Sequence, residues 1–231
     1  MYSIVRNDRF YIGASLAIIT AVFVGFAPTY YLKGHFHGPP LPWLVHAHGL
    51  VFSSWILLFL TQTFLIAARR TDLHRRLGLG GAVLAGLLVV LGLTTAIVSA
   101  RRNVAAGKPE ALMFLATPFA DMLVFSVLAA AGVYHRRRRE IHKRLMLLAT
   151  IAILPAAFAR WPLAIVADGP RTVFATTDLF IVAALIHDFV SNRRLHPANV
   201  WGGLFVVASQ PVRLAMAGTG VWLAFARAIA S

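Results

Sequence analysis

The chain contains no cysteine. Disulfides, thiolate zinc sites and iron–sulfur clusters are therefore excluded. Charge is also scarce. Only 13% of residues are charged, against about 25% in an ordinary soluble domain. Acids are the rarest, with 8 Asp and Glu set against 22 Lys and Arg. Two motifs are missing as well. Gly78-Leu79-Gly80-Gly81 is not a dinucleotide fingerprint, because Val83 stands where the third glycine belongs and no strand precedes it. No His-x-x-x-His pair lies inside an apolar stretch, so the helical zinc signature is absent.

What is present is apolar. Hydrophobic residues make up 59% of the 231 positions, and the mean hydropathy is +0.74. Seven stretches, at about 10–32, 43–67, 78–99, 112–134, 144–166, 173–190 and 202–226, suit a hydrocarbon core of about 30 Å. The expected fold is all-α: a polytopic helical membrane bundle of about seven transmembrane helices, forming one domain over 1–231. The first stretch follows Arg6 and Arg9 as a signal peptide would. It has no small-x-small cleavage site, so it reads as a retained anchor.

Basic residues collect after stretches two, four and six: Arg69, Arg70, Arg75 and Arg76; Arg136 to Arg139, Lys143 and Arg144; Arg193 and Arg194. The positive-inside rule assigns that side to the cytoplasm, with the N-terminus inside and the C-terminus outside. The pair Arg101–Arg102 runs against this pattern. The net charge of +14 then reads as contact with the anionic inner leaflet of a bacterial plasma membrane, not with nucleic acid. The composition is equally compatible with a homo-oligomer.

A segment recurs. Thr71-Asp72-Leu73-His74-Arg75-Arg76-Leu77 and Arg139-Glu140-Ile141-His142-Lys143-Arg144-Leu145 each place an acid, an aliphatic residue, a histidine, two bases and a leucine before a span. The acid suits a helix N-terminus, where the dipole favours an anion. Gly78, Ala82 and Gly86 form a small-residue stripe that predicts close helix packing.

Ionisable groups at membrane depth are costly, so they should pair inside the bundle or mark function. At about 1.5 Å per residue, His46, His48, Asp121, Arg160, Asp178 and Arg213 all fall in the outer half. The two acids and two arginines predict a buried network of Asp121, Arg160, Asp178 and Arg213. Pro118, Pro155, Pro162 and Pro211 stand beside these groups and predict kinks that open a polar cavity. His46, His48, Asp121 and Asp178 form the candidate set for zinc or copper. His46 and His48 point about 200° apart on a helix, and Gly49 favours His48 as the inward one. His35 and His37 lie in the first outer loop. On the cytoplasmic side stand His74, His142, His187 and Asp188, with His135 and His196 in the loops. Two facing histidines there can ligate a haem iron.

The run from Val45 to Gly78, VHAHGLVFSSWILLFLTQTFLIAARRTDLHRRLG, resembles an uncharacterised bacterial multi-pass family. Its members start a helix with His-x-x-Gly or His-Gly, pass through a glutamine, and resume with LHRRLG. HKRLMLLAT, from His142 to Thr150, resembles a later segment of that family. More distantly, the pattern is similar to the two-haem cytochrome b family of ascorbate and ferric reductases. That similarity implies haem b, membrane electron transfer, and His48 (or His46), His74, His142 and His187 as ligands. That family has a six-helix core and two haems. Here the outer side offers no clear second histidine within a span, so one haem near the cytoplasmic face is the expectation. Three readings follow: a haem protein in electron transfer, a metal-binding seven-helix protein or hydrolase, and a non-enzymatic transporter, sensor or assembly factor. No redox partner or substrate is named by the sequence.

Overall fold

The computed structural model describes residues 2–163 and 169–230, with side chains from Asp8 onward. The end of the fifth stretch, 164–166, and the Arg6 side chain lie outside the described residues. Among the described residues, ten α-helices account for most of the chain. They are α1 (Tyr2–Phe26), α2 (Trp43–Ala67), α3 (Thr71–Ala105), α4 (Ala111–Phe114), α5 (Ala116–Tyr134), α6 (Arg139–Ala152), α7 (Pro155–Phe158), α8 (Pro170–Asn192), α9 (Pro197–Ala217) and α10 (Gly220–Ala230). Seven helical segments are long and apolar enough to cross a membrane. The protein is a helical membrane bundle, and no strand occurs among the described residues.

The spans differ from the sequence expectation where polar residues extend a helix or proline interrupts one. Both copies of the acid-x-His-basic-basic segment form the first turns of their helices, α3 and α6, and not the loops before them. At 35 residues, α3 is about 50 Å long and outreaches the hydrocarbon core. Its far end carries Arg101 and Arg102. The Arg101 guanidinium donates to the Ile229 carbonyl at 2.9 and 3.1 Å, capping the end of α10. The exception to the charge pattern is thus a helix-end contact. The fifth span breaks at Ile153–Leu154, and Pro155 starts the single turn α7. A proline lacks the N–H an interior helical position donates, but costs nothing at a first position. Pro118 likewise falls in the first turn of α5. Only Pro211 is interior to its helix. The seventh span ends at Ala217, and α10 is a separate helix whose Trp222, Ala226 and Ala230 pack on Ala100, Leu112 and Leu115.

The centre of the bundle is α6. Leu147, Leu148, Ala149, Ile151 and Ala152 are all buried, between α5 on one side and α8 and α9 on the other. Leu50, Leu57, Leu79, Val83, Leu123 and Leu179 point outward, as lipid-facing residues do. The packing face of α3 is Gly81, Leu88 and Gly92. Gly78, Ala82 and Gly86 are exposed instead, so the expected stripe lies on the outer face of the helix. Trp55 on α2 donates to Thr150 Oγ1 on α6 at 3.3 Å. Trp161 donates to the Ala21 carbonyl at 3.0 Å, tying the chain after α7 to α1.

That last junction depends on Gly25, where a Cβ would overlap the Ala157 carbonyl. Backbone on the facing side cannot swing away as a side chain can. Gly25→Val should therefore destabilise the protein by about 1–3 kcal/mol, read as a lower melting temperature in detergent. Gly13→Ala, at a glycine with open space around it, should leave the melting temperature unchanged.

Candidate functional site

Two buried polar clusters and one histidine pair stand out. The first cluster lies at the arginine-rich end. Arg144 is the sixth residue of α6 and Asp188 lies four before the end of α8. Their side chains are 1% and 0% exposed. Arg144 Nε donates to both Asp188 oxygens at 3.0 and 3.1 Å, and a second guanidinium nitrogen donates to Oδ1. Asp188 also accepts from Asn199 Nδ2 at 2.7 Å and from the His196 N–H at 3.3 Å, both at the start of α9. On its other side Arg144 donates to the Glu140 carbonyl at 2.8 Å and to its carboxylate at 2.6 Å. Desolvating two charges costs several kcal/mol each, repaid only when every lone pair and N–H is used. Here nearly all are.

Sequence reading placed Arg144 among the interfacial bases and missed this role. The legible signal was its flank: Leu145, Leu147 and Leu148 continue an apolar run, and Glu140 stands one turn back on the same face.

The second cluster lies toward the opposite end. Asp121 is five residues into α5 and Arg213 four before the end of α9, so they meet at one depth and form a buried ion pair. Arg213 also donates to Ser209 O and Oγ at 3.2 and 2.8 Å, and its guanidinium lies 5.3 Å from the Phe174 ring. Asp178 stands apart from the pair and accepts from Gln210 Nε2 at 2.7 Å. Arg160 does not join it. Because the helix breaks before it, Arg160 donates to the Ala156 carbonyl and lies over Phe26 at 4.8 Å. The four expected charges are therefore one ion pair, one carboxylate–amide pair and one arginine held by backbone.

The outer histidines diverge. His46 is exposed, with Tyr30 donating to its carbonyl at 3.2 Å. His48 is half-buried and stacks on Phe52 at 4.1 Å, and its Nδ1 is buried without a hydrogen bond. Gly49, chosen as the space beside His48, is filled by the Tyr30 ring. His46, His48, Asp121 and Asp178 do not converge. Among the described residues, no group of three or more His, Asp or Glu side chains is placed to hold a metal ion.

The histidine pair is His74 and His142. Each is the fourth residue of its helix, so the repeated segment sets them in the same register. Their ring centroids lie 6.2 Å apart at 80°. His142 Nδ1 lies 2.8 Å from the Gly132 carbonyl at the end of α5. Gly132 has no Cβ there because Met146 and Leu145 occupy that space. His74 Nδ1 is buried and has no hydrogen-bond partner. His187 packs elsewhere: its ring stacks on Phe10 at 3.9 Å and meets Tyr11 edge-on.

Comparison with known proteins finds no matching family model, no matching curated protein and no matching solved structure.

Two predictions come from the first cluster. Arg144→Met leaves the buried Asp188 carboxylate without its cation and should cost about 3–5 kcal/mol. Adding Asp188→Asn should recover much of that loss, measured as melting temperature in one detergent. The second concerns His196, in the loop before α9, whose Nδ1 accepts from the Ala198 N–H at 3.1 Å as the helix cap. Burial, and then the Arg144 cation, lower its pKa below the usual histidine value. A folded-state pKa below the unfolded one means that the unfolded chain binds the proton more readily. Stability is then full above about pH 6.5 and falls as pH drops toward the folded value. Protonation also removes the cap's acceptor. His196→Asn keeps an N-cap acceptor without titrating, so its melting temperature should lose this acid-side slope.

Proposed function

We propose that this integral membrane protein binds b-type haem at its arginine-rich end through His74 and His142 and takes part in membrane electron transfer. One observation carries the reading. The two histidines of the repeated segment face each other, with His142 Nδ1 oriented by a backbone carbonyl and His74 Nδ1 buried and unpartnered. A metal-ligating histidine characteristically donates its other N–H to such a carbonyl. His142 and His74 would be the residues that hold the iron, and the carbonyl on His142 Nδ1 would leave its Nε2 free to do so.

The number of ligands separates the cofactors. Zinc needs four ligands, or three and a water. A haem would need only two ligands from the chain, and His74 and His142 would supply them. When bound, haem supplies one-electron chemistry through its ferric and ferrous states. The chain's part is to hold the imidazoles. Gly132 fixes the His142 ring, and the first turns of α3 and α6 set both rings at one depth. Arg75 and Arg76 follow His74, and Lys143 follows His142, so cations are at hand for acidic groups on a cofactor's edge. His48 and His187 lie apart from the pair, which makes the proposal one haem and not two.

A second reading, a transporter or sensor, is favoured by Asp178, a carboxylate at membrane depth with a neutral amide as its hydrogen-bond donor.

The deciding measurement is the absorption spectrum of detergent-purified protein, oxidised and then dithionite-reduced, with metal analysis of the same sample. A Soret band that shifts on reduction, with roughly one iron per chain, is expected. His74→Ala and His142→Ala should each abolish it, and His187→Ala should retain it. A featureless spectrum from haem-sufficient cells removes the proposal. Zinc or copper in its place would support the metal reading, and no metal would leave transport or sensing.

A further inference from the structure

A cavity lies at the arginine-rich end, and neither His74 nor His142 lines it. It is about 460 Å³ in volume, within the usual size range for small-molecule sites. Three arginines from three places in the fold line it: Arg9 on α1, Arg69 between α2 and α3, and Arg139 at the start of α6. One acid, Asp8, lines it too, so two positive charges are left uncompensated. None of the three arginines makes an ion pair among the described residues; the basic partners in such pairs are Arg70, Lys143, Arg144 and Arg213. The remaining wall is aliphatic, from Ile12 and Ile66. Thr71, at the first turn of α3, adds a hydroxyl.

Arg69 occupies a telling backbone position. It stands just past Ala68, the residue that caps α2, with φ +58°, and the next N–H, of Arg70, closes back on the Leu65 carbonyl at 2.8 Å. This is the helix-ending turn at which glycine is favoured, because a Cβ is strained in the left-handed region. An arginine there brings a guanidinium to the cavity at the expense of backbone comfort.

We infer that this cavity binds a phosphate group, and the combination of arginines with an aliphatic wall points to the headgroup of an anionic phospholipid. Arginine matches phosphate oxygens with paired N–H donors. Basic pockets between transmembrane helices at the cytoplasmic interface suit anionic headgroups, with roughly fivefold in affinity for each nearby basic residue. A soluble phosphate would use the same arginines without needing Ile12 and Ile66. The site is independent of the haem reading, since His74 and His142 do not line it.

The test is native mass spectrometry of the full chain in detergent, titrated with phosphatidylglycerol or phosphatidylcholine, with and without inorganic phosphate. Wild type should retain phosphatidylglycerol over phosphatidylcholine. Arg9→Gln/Arg69→Gln/Arg139→Gln should lower that retention on the order of 100-fold. Arg136→Gln/Arg137→Gln/Arg138→Gln removes the same charge at the same end but outside the cavity, and should lower it much less. Arg69→Gly guards against a folding artefact. Glycine suits the positive φ, so retention should drop about fivefold with no loss of melting temperature. Displacement of the lipid by millimolar inorganic phosphate would assign the site to a soluble phosphate, and resistance would assign it to lipid. Equal losses in the two triple variants, or no preference for phosphatidylglycerol in wild type, would overturn the site.

Discussion

A guanidinium in the interior of a lipid-embedded bundle must find every one of its partners within the protein, because the bilayer supplies none. Arg144 meets that demand through Asp188, Glu140 and the backbone of its own helix. Asp188 in turn draws in Asn199 and the His196 N–H. One electrostatic requirement thus joins α6, α8 and the start of α9 at a single depth. The placement of α6 at the centre follows from it, and so does the burial of Leu147, Leu148 and Ile151 against the neighbouring helices. The Asp121–Arg213 pair does the same work nearer the other end, between α5 and α9. Two such pins at different depths fix both the rotation and the vertical register of α9, which a purely apolar contact would leave free to slide.

The histidine pair depends on the same framework. His142 is two residues before Arg144 on α6, so the pin that locks Arg144 also locks the turn that carries His142. Gly132 lets α5 come close enough for its carbonyl to reach the ring. His74 arrives on the matching turn of α3. Two copies of one short segment, each opening a helix, therefore become two imidazoles side by side.

The bundle was legible because hydropathy is additive along a span, and seven apolar stretches survive any uncertainty about their ends. The ends themselves were less legible. Thr71 to Leu77 and Arg139 to Arg144 are polar enough to read as loops, yet they are helical because their acids and bases suit a helix start and its interface. The Asp121–Arg213 pair was readable because both residues stand alone in apolar sequence. Arg160 misled for the opposite reason: it looks interior, but Pro155 restarts the helix before it and turns the side chain onto Phe26. Arg144 was hidden in a basic run, where charge alone does not say which arginine faces inward. His187 was expected near the other histidines of the arginine-rich end, and depth alone does not report which side of α8 it occupies.

The separation of Arg144 from Asp188 along the chain bears on how the protein is made. They stand 44 positions apart, with α7 and most of α8 between them. During synthesis α6 reaches the membrane before its counter-ion exists. Until then Arg144 has Glu140, one turn away, and the headgroup layer to satisfy it. The helix that ends at the centre is therefore the one least able to settle there alone. It must wait at the interface, and its descent into the bundle becomes favourable only when α8 delivers Asp188 and α9 brings Asn199. Biogenesis of this chain is expected to be a late, concerted closure around α6, not a sequential stacking of finished helices.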